Sequence, residues 1–335
     1  MSQASEKTLI VAPLRGVDLR AESEIPLGDG LFLAPAHVYQ RTIEHDIAHF
    51  FLSRVQAQNM AKARWVLGLR RADTAERPAD IPTCVEAFQN GLMALQIVKP
   101  IRTYGLFFHG TEMPDGSPRL RGLTDRRWGM AAGQWAELRA FDEPLLGHAC
   151  QILDQVRATM GGSDIPKRNA VHSLQLALEH PHPYVSCLLA VMGIEAILDS
   201  SDRWDFESKL CDLLGANAPA FPDWNSPDFR PPKYSVKDLA VHLYTLRSKI
   251  AHGVDLRTAA ADKRSPVDLL EFKEYITTPF TAYEQVSDPV QYAKLLGEVS
   301  IYLLCRLLQV VFSTNRQVRE PRRADYSVRG EGWSV

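Results

Sequence analysis

The feature that most constrains the fold is a series of apolar patterns with helical period in the second half of the chain. Five segments carry it, at 167–180, 184–199, 205–215, 235–252 and 289–313. Each spaces its apolar residues three or four positions apart, as amphipathic helices do. The segment at 184–199 is apolar on nearly all sides, so we expect the other helices to bury it. This half of the chain therefore predicts an all-α helical bundle.

The first half of the chain mixes strand-like and helix-like patterns. Short strands are predicted at 8–11, 31–33 and 101–109, where apolar and aromatic residues lie between turn residues. Helical periodicity predicts helices over 38–68, 83–98 and 141–160, and the polar stretch 110–127 is typical of turns.

A Gly-Gly-Ser-Asp break at 161–164 separates the two patterns. The sequence thus predicts a mainly α protein with three parts. Residues 1–162 form a smaller α+β region of unknown role, residues 163–315 a helical domain, and residues 316–335 an Arg-rich flexible tail.

Charge and cysteine content restrict the class of protein. The chain has 38 basic and 40 acidic residues and a net charge of -2, which disfavours a protein that coats nucleic acid but allows a local basic site. Its 5 cysteines are scattered and form no CxxC pair, as in proteins of a reducing compartment. The two most apolar stretches, 184–194 and 299–312, are shorter than the roughly 20 residues of a membrane helix. We therefore expect a soluble, cytoplasmic protein that does not bind a membrane.

One segment combines a guanidinium and an imidazole near a predicted helix end. Residues 241–253 read VHLYTLRSKIAHG, in which Arg247 borders an apolar stripe and His252 follows five residues later. An ideal helix would point the two side chains about 140° apart, so they converge only if the helix ends or tightens at His252. Gly253 is typical of such an end. Spacing alone also fits a simpler hypothesis, in which His252 interacts with the helix dipole and Arg247 is a solvated flank.

This segment resembles the Arg-x4-6-His motif of HEPN domains, and most closely that of the Apea-like HEPN proteins. In these proteins a segment like LYTLRSKIAHG ends a core helix. An upstream helix carries a phrase like AVMGIEAIL, here at 190–198, and a short helix like 206–214 follows it. The chain shows the three features in this order over about 165–315. The resemblance implies an all-helical domain, and it says little about residues 1–160.

The resemblance also implies a function. Many HEPN domains are metal-independent ribonucleases that act as homodimers, with two motifs facing each other across the interface and the RNA 2′-OH as nucleophile. By position, Arg247 would stabilise the charge that develops on the phosphorane, and His252 would act as general acid or base. Glu195 would orient one of these groups or hold two helices in register. No metal or other cofactor is implied.

Ser248 is a departure from the family pattern. Active members often carry Asn, Asp or His at this position, and the serine hydroxyl is a weaker ligand for a phosphate or a base. Some HEPN domains serve only as dimerisation or binding modules, which leaves a non-catalytic RNA- or ligand-binding module as the alternative. The biological setting implied by the family is anti-phage defence or toxin-like growth arrest in bacteria. A protein or a phage-derived molecule would be the trigger there, and its identity is open.

Two other patterns bear on function. His45 and His49 lie one helical turn apart around Asp46, an arrangement similar to the HExxH zinc motif but with a shorter acid and no third ligand, so it favours an ordinary helix over a metal hydrolase. Arginines with interleaved aromatics, which can bind RNA, occur in three clusters. These are Lys62, Arg64, Arg70 and Arg71 with Trp65; Arg119, Arg121, Arg126 and Arg127 with Trp128; and the tail with Arg316, Arg319, Arg322, Arg323, Arg329, Tyr326 and Trp333.

Overall fold

The computed structural model describes residues 7–46, 62–72, 81–99, 101–103, 106–125, 141–180, 182–220, 235–252 and 289–313. Within these ranges 60% of the residues are helical, and the strands form one antiparallel sheet in the first half of the chain. The chain is therefore mainly α with an N-terminal α+β region, as the hydrophobic patterns predict.

The sheet is built from seven strands within the described ranges. They are β1 (Lys7–Arg15), β2 (Ile25–Gly28), β3 (Leu31–Pro35), β4 (Trp65–Ala72), β5 (Arg102–Thr103), β6 (Leu106–Glu112) and β7 (Pro118–Asp125). The spatial order is β2-β3-β4-β1-β6-β7, and β5 pairs with β1. Every pair of neighbouring strands is antiparallel.

Both faces of the sheet are buried, each by a different helix. Along β1, Leu9 and Val11 point into one apolar cluster, whereas Ile10 and Ala12 point into another, as the two-residue period of a strand requires. Helix α1 (His37–Asp46) covers the first face. Helix α2 (Ile81–Val98) covers the second, and α3 (Glu143–Gly161) packs against α2. Double burial explains why β1 is a nearly continuous apolar run.

Two expectations for the N-terminal region are wrong. The helix predicted over 38–68 does not extend to its end, because residues 65–68 begin β4. The apolar run there is buried in the sheet, and a short apolar run does not distinguish helix from strand. Residues 118–125 form β7 rather than turns. Its alternation of buried Leu120 with exposed Arg121 is masked in sequence by neighbouring glycines, prolines and charges.

In the described part of the second half, five helices form a bundle, and each lies within a few residues of its predicted position. They are α4 (Ile165–Glu179), α5 (Pro183–Leu198), α6 (Arg203–Leu214), α7 (Val236–Ala251) and α8 (Pro289–Ser313). Helix α5 packs against α4 and α8 along most of its length and also contacts α6 and α7. Its nearly uniform apolar surface follows from this central position.

Gly193 allows α5 to approach its neighbours closely. A Cβ atom at this position would lie 2.7 Å from Cδ2 of Leu304 in α8 and 3.0 Å from Cβ of Ser173 in α4. Both distances are below ordinary van der Waals contact. The glycine therefore sets the spacing of three helices two residues before Glu195.

The sheet region and the bundle share an apolar core. Helix α8 contacts α2, where Gln309 Nε2 donates to the Ile97 carbonyl at 2.6 Å and Cys305 Sγ donates to the Gln96 carbonyl at 3.5 Å. One cluster of buried residues extends from β1 to the end of α8. The domain division at residue 162 stays a prediction.

In the described part of the chain, no single helix is both long and apolar enough to cross a membrane, although the α5–α6 pair, bent by 77°, reaches that length and composition.

Candidate active site at one end of the helical bundle

Helix α7 carries the Arg-x4-His motif and has well-defined ends. Ser235 and Asp238 form a capping box at its start, with the Ser235 side chain accepting from the Asp238 backbone N–H. The helix ends at Ala251, and the His252 backbone N–H donates to the Ser248 carbonyl at 3.0 Å. The predicted helix end at His252 is therefore confirmed, while Gly253 lies outside the described residues.

An apolar stripe anchors α7 in the bundle. Leu239, Leu243 and Leu246 are at most 4% exposed. Arg247 follows directly on the border of this stripe, and its side chain is 30% exposed. The end of α7 thus keeps the guanidinium at the surface of the bundle rather than inside it.

Glu195 on α5 holds the Arg247 guanidinium. Arg247 Nε donates to Glu195 Oε2 at 3.1 Å, and Nη2 lies 3.0 Å from the same oxygen. The Glu195 side chain is 17% exposed. Burial raises the pKa of this carboxyl above its ordinary value, and the nearby Arg247 charge opposes that shift. The pair joins α5 to α7 across 52 residues of sequence.

Tyr244 and Phe206 complete the wall beside Arg247. The Arg247 guanidinium carbon lies 5.9 Å from the centroid of the Tyr244 ring, and that ring lies 5.5 Å from the Phe206 ring on α6. Sequence reasoning did not single out Tyr244, although its position three residues before Arg247 places the two on one face of a helix.

The four predicted site residues are only partly brought together. Arg247 and Glu195 are in direct contact. His252 is exposed at the end of α7, and Ser248 is half-buried next to Arg247 in the sequence. Among the described residues, no hydrogen bond or ion pair joins the side chain of His252 or Ser248 to Arg247 or Glu195. The arrangement therefore offers a fixed cation and, five residues further along the chain, an imidazole open to solvent.

The alternative metal site falls mostly outside the structure as described. His45 and Asp46 are the last residues of α1, and His49 lies beyond the described ranges. Within the described ranges, no group of three or more His, Cys, Asp or Glu side chains is arranged to hold a metal ion.

Two members of the first predicted basic cluster, Trp65 and Arg70, take part in the packing of the sheet. Trp65 is 4% exposed, so its ring is not free to stack on a base. Arg70 bonds to Glu24 and Glu112 and lies over the Phe32 ring, with 4.1 Å between the guanidinium carbon and the ring centroid. These contacts make Arg70 part of the sheet's packing. The second cluster from residue 126 onward and the C-terminal cluster lie outside the described residues.

Comparisons with family models, with curated proteins and with solved structures give no match for this chain.

Proposed function

We propose that the protein is a metal-independent endoribonuclease of the HEPN type, active as a homodimer in the cytoplasm. The observation that carries the proposal is the half-buried Arg247, oriented by Glu195 at the end of α7, with His252 exposed where that helix ends. A guanidinium fixed by a carboxylate can present its remaining N–H groups to a phosphate in one orientation.

The chemistry needs two proton transfers and one site of charge stabilisation. The 2′-oxygen of a nucleotide attacks the adjacent phosphorus, and the bond from phosphorus to the 5′-oxygen breaks. The products are a 2′,3′-cyclic phosphate and a 5′-hydroxyl. Arg247 stabilises the negative charge on the phosphorane oxygens. His252 either removes the 2′-OH proton or protonates the leaving 5′-oxygen, and an imidazole in the second copy serves the other step.

The homodimer supplies the second imidazole. An outward-facing residue of α5, Met192, is 46% exposed on a helix that is otherwise strongly apolar. Leu188, Leu189 and Ala196, each one helical turn from Met192, are partly exposed as well, and a contiguous exposed apolar surface is typical of an interface. Glu195 lies three residues further along the same helix. A second copy that packs on this side of α5 would bring two motifs toward each other.

The test is incubation of the purified full-length chain with RNA in excess EDTA. Wild-type protein is expected to produce fragments that end in cyclic phosphate, and Arg247→Ala and His252→Ala are expected to produce none while the dimer persists. Two matched controls are Arg157→Ala, which removes an ion-paired arginine from α3, and His172→Ala, which removes an exposed histidine from α4. Unchanged cleavage by both site variants would refute the proposed roles.

The alternative is a non-catalytic module that dimerises or binds RNA or another ligand. It is favoured by the Arg247–Glu195 ion pair itself, because a neutralised guanidinium that joins two helices needs no substrate to explain it. In this case the wild-type dimer cleaves no RNA in any buffer. A role in anti-phage defence or growth arrest, with a protein or phage-derived trigger, belongs to the nuclease proposal and rests on family resemblance.

A further inference from the structure

Trp204 is the most exposed of the large hydrophobic residues in the described part of the chain, with 69% of its surface open to solvent. It is the second residue of α6. Asp202 fixes the backbone there, because its carboxylate accepts from the N–H groups of Trp204 and Asp205 at 2.8 and 3.0 Å. An exposed indole is thus carried on a well-anchored helix start.

The Trp204 ring is also ordered by its neighbour. The Arg203 guanidinium carbon lies 4.6 Å from the centroid of the ring, within cation–π distance. With the guanidinium over one side of the ring, the rest of the exposed indole can accept a further planar group.

The topology places this pair at the same end of the bundle as Arg247. Helices α6 and α7 run antiparallel, since Val236 at the start of α7 donates to the Ala218 carbonyl just after α6, at 2.9 Å. Further along, Phe206 near the start of α6 meets Tyr244 in α7. Trp204 precedes Phe206 by two residues, and Arg247 follows Tyr244 by three. Two residues along an α-helix differ in direction by about 200°, so the Trp204 side chain points away from Tyr244. Trp204 therefore lies on the side of α6 that faces away from Arg247, and about one helix width, or 10 Å, separates the two sides.

The surroundings of Trp204 favour a base over a protein partner. Ser208 and Asp212, one and two turns further along the same face of α6, are exposed and polar. A stable protein interface needs a contiguous apolar centre, which one indole on a polar face does not provide. A nucleobase needs only one open aromatic face.

The acidic turn before α6 further restricts how RNA could approach. Asp199, Asp202 and Asp205 surround the start of the helix, and hydrogen bonds from the Lys209 side chain and from the Ser201 backbone N–H lower the pKa of the Asp205 carboxyl. The three carboxylates outnumber the two nearby cations, Arg203 and Lys209, and the remaining negative charge repels phosphate groups. A strand would therefore present a base to this surface and keep its backbone toward Arg247.

We propose that Trp204 is a stacking platform for a base of unpaired RNA, on a nucleotide near the one that Arg247 binds. The inference rests on the proposed function and narrows its substrate to RNA with unstacked bases. Paired bases stack on each other and offer no free face, so a duplex does not use the platform.

The experiment measures binding by fluorescence anisotropy in EDTA. The probe is a labelled 2′-O-methyl RNA oligonucleotide without self-pairing, which lacks the attacking hydroxyl and is not cut. Trp204→Ala is expected to weaken binding about 5- to 150-fold, whereas Trp204→Phe retains most of the affinity. The control Leu176→Ala removes a side chain that is 50% exposed on α4 and is expected to change nothing. Binding of the duplex form is expected to be equal for wild type and Trp204→Ala.

Equal binding of the single-stranded probe by wild type and Trp204→Ala would refute the proposed role of Trp204. Failure of the wild type to bind this probe would refute it as well. A Trp204→Ala protein that sediments as a monomer while the wild type is a dimer would also overturn it, because the indole would then belong to an interface. Cleavage is scored separately. If the wild type cuts RNA but binds the single strand no more tightly than Trp204→Ala does, only the stacking platform is refuted. If Trp204→Ala binds more weakly but the wild type cuts no RNA, only the nuclease activity is refuted.

Discussion

Replacing Arg247 with alanine would leave the Glu195 carboxylate at a helix junction without its counter-charge. Exposed ion pairs contribute about 0.2–1 kcal/mol, and removal of one partner from a fully buried pair costs about 3–5 kcal/mol. The two side chains are 30% and 17% exposed, so this pair lies between those limits. We expect Arg247→Ala to lower the free energy of unfolding by about 2 kcal/mol.

Urea unfolding followed by circular dichroism measures this loss. With a slope of about 3 kcal/mol/M for a chain of this size, the midpoint should fall by about 0.7 M. Glu195→Gln keeps an acceptor for Arg247 without a buried charge, so its cost should be about 1 kcal/mol or less. The double variant should be more stable than Arg247→Ala alone, because no unpaired carboxylate remains.

A double variant no more stable than Arg247→Ala would contradict the explanation by an unpaired Glu195 carboxylate. That result would show that the single substitution acts through lost packing rather than through the stranded charge. An Arg247→Ala midpoint equal to that of the wild type would show that the pair does not join α5 to α7 energetically. Its role would then be confined to orienting the guanidinium.

Three further predictions follow from the packing and the titration of single groups. Burial raises the pKa of Glu195 in the folded state, so its contribution to stability is present below its ordinary pKa of 4.5 and is lost as the pH rises through the folded-state pKa. Urea titrations at several pH values should therefore show the wild type losing stability relative to Glu195→Gln over that pH range. Gly68→Ala should cost about 1–3 kcal/mol, since a Cβ there would lie 2.0 Å from the Phe32 ring, whereas Gly147→Ala in α3 meets no atom within 4 Å and should be neutral or stabilise by up to about 1 kcal/mol. In a thiol titration of native protein with Ellman's reagent, the half-buried Cys150 and Cys211 should react, while the buried Cys84, Cys187 and Cys305 should react only after unfolding. Burial raises the pKa of Cys187 to about 12, so a fast reaction of that thiol would contradict the described core.

Local signals in the sequence were sufficient for the five helices of the C-terminal bundle. The capping box at Ser235 fixes where α7 begins, and the leucine stripe fixes which face it buries. Strands β4 and β7 were missed because a strand is stabilised by partners far away in sequence, which a local pattern does not contain. Trp65 is the clearest case, since it reads as the end of a helix and pairs with Leu14 and Pro35 in the sheet.

The candidate site also contains contacts that follow from local sequence and contacts that do not. Arg247 and His252 are five residues apart, so their neighbourhood at one helix end follows from helix geometry. Glu195 is 52 residues from Arg247, and its part came from family resemblance rather than from any spacing rule. The Phe206–Tyr244 contact depends on the antiparallel packing of α6 and α7 and was not visible in the sequence.

The position of helix α8 has a consequence for how the protein unfolds. Helix α8 lies against α5 in the bundle and also binds the backbone carbonyls at the end of α2, which itself packs on the sheet. Loss of α8 would uncover apolar surface on both halves at once, so neither half is expected to persist when expressed separately. Heating the intact chain should give a single cooperative melting transition. The sheet is connected to the Arg247 guanidinium through three successive helix–helix contacts, α2 with α8, α8 with α5, and α5 with α7.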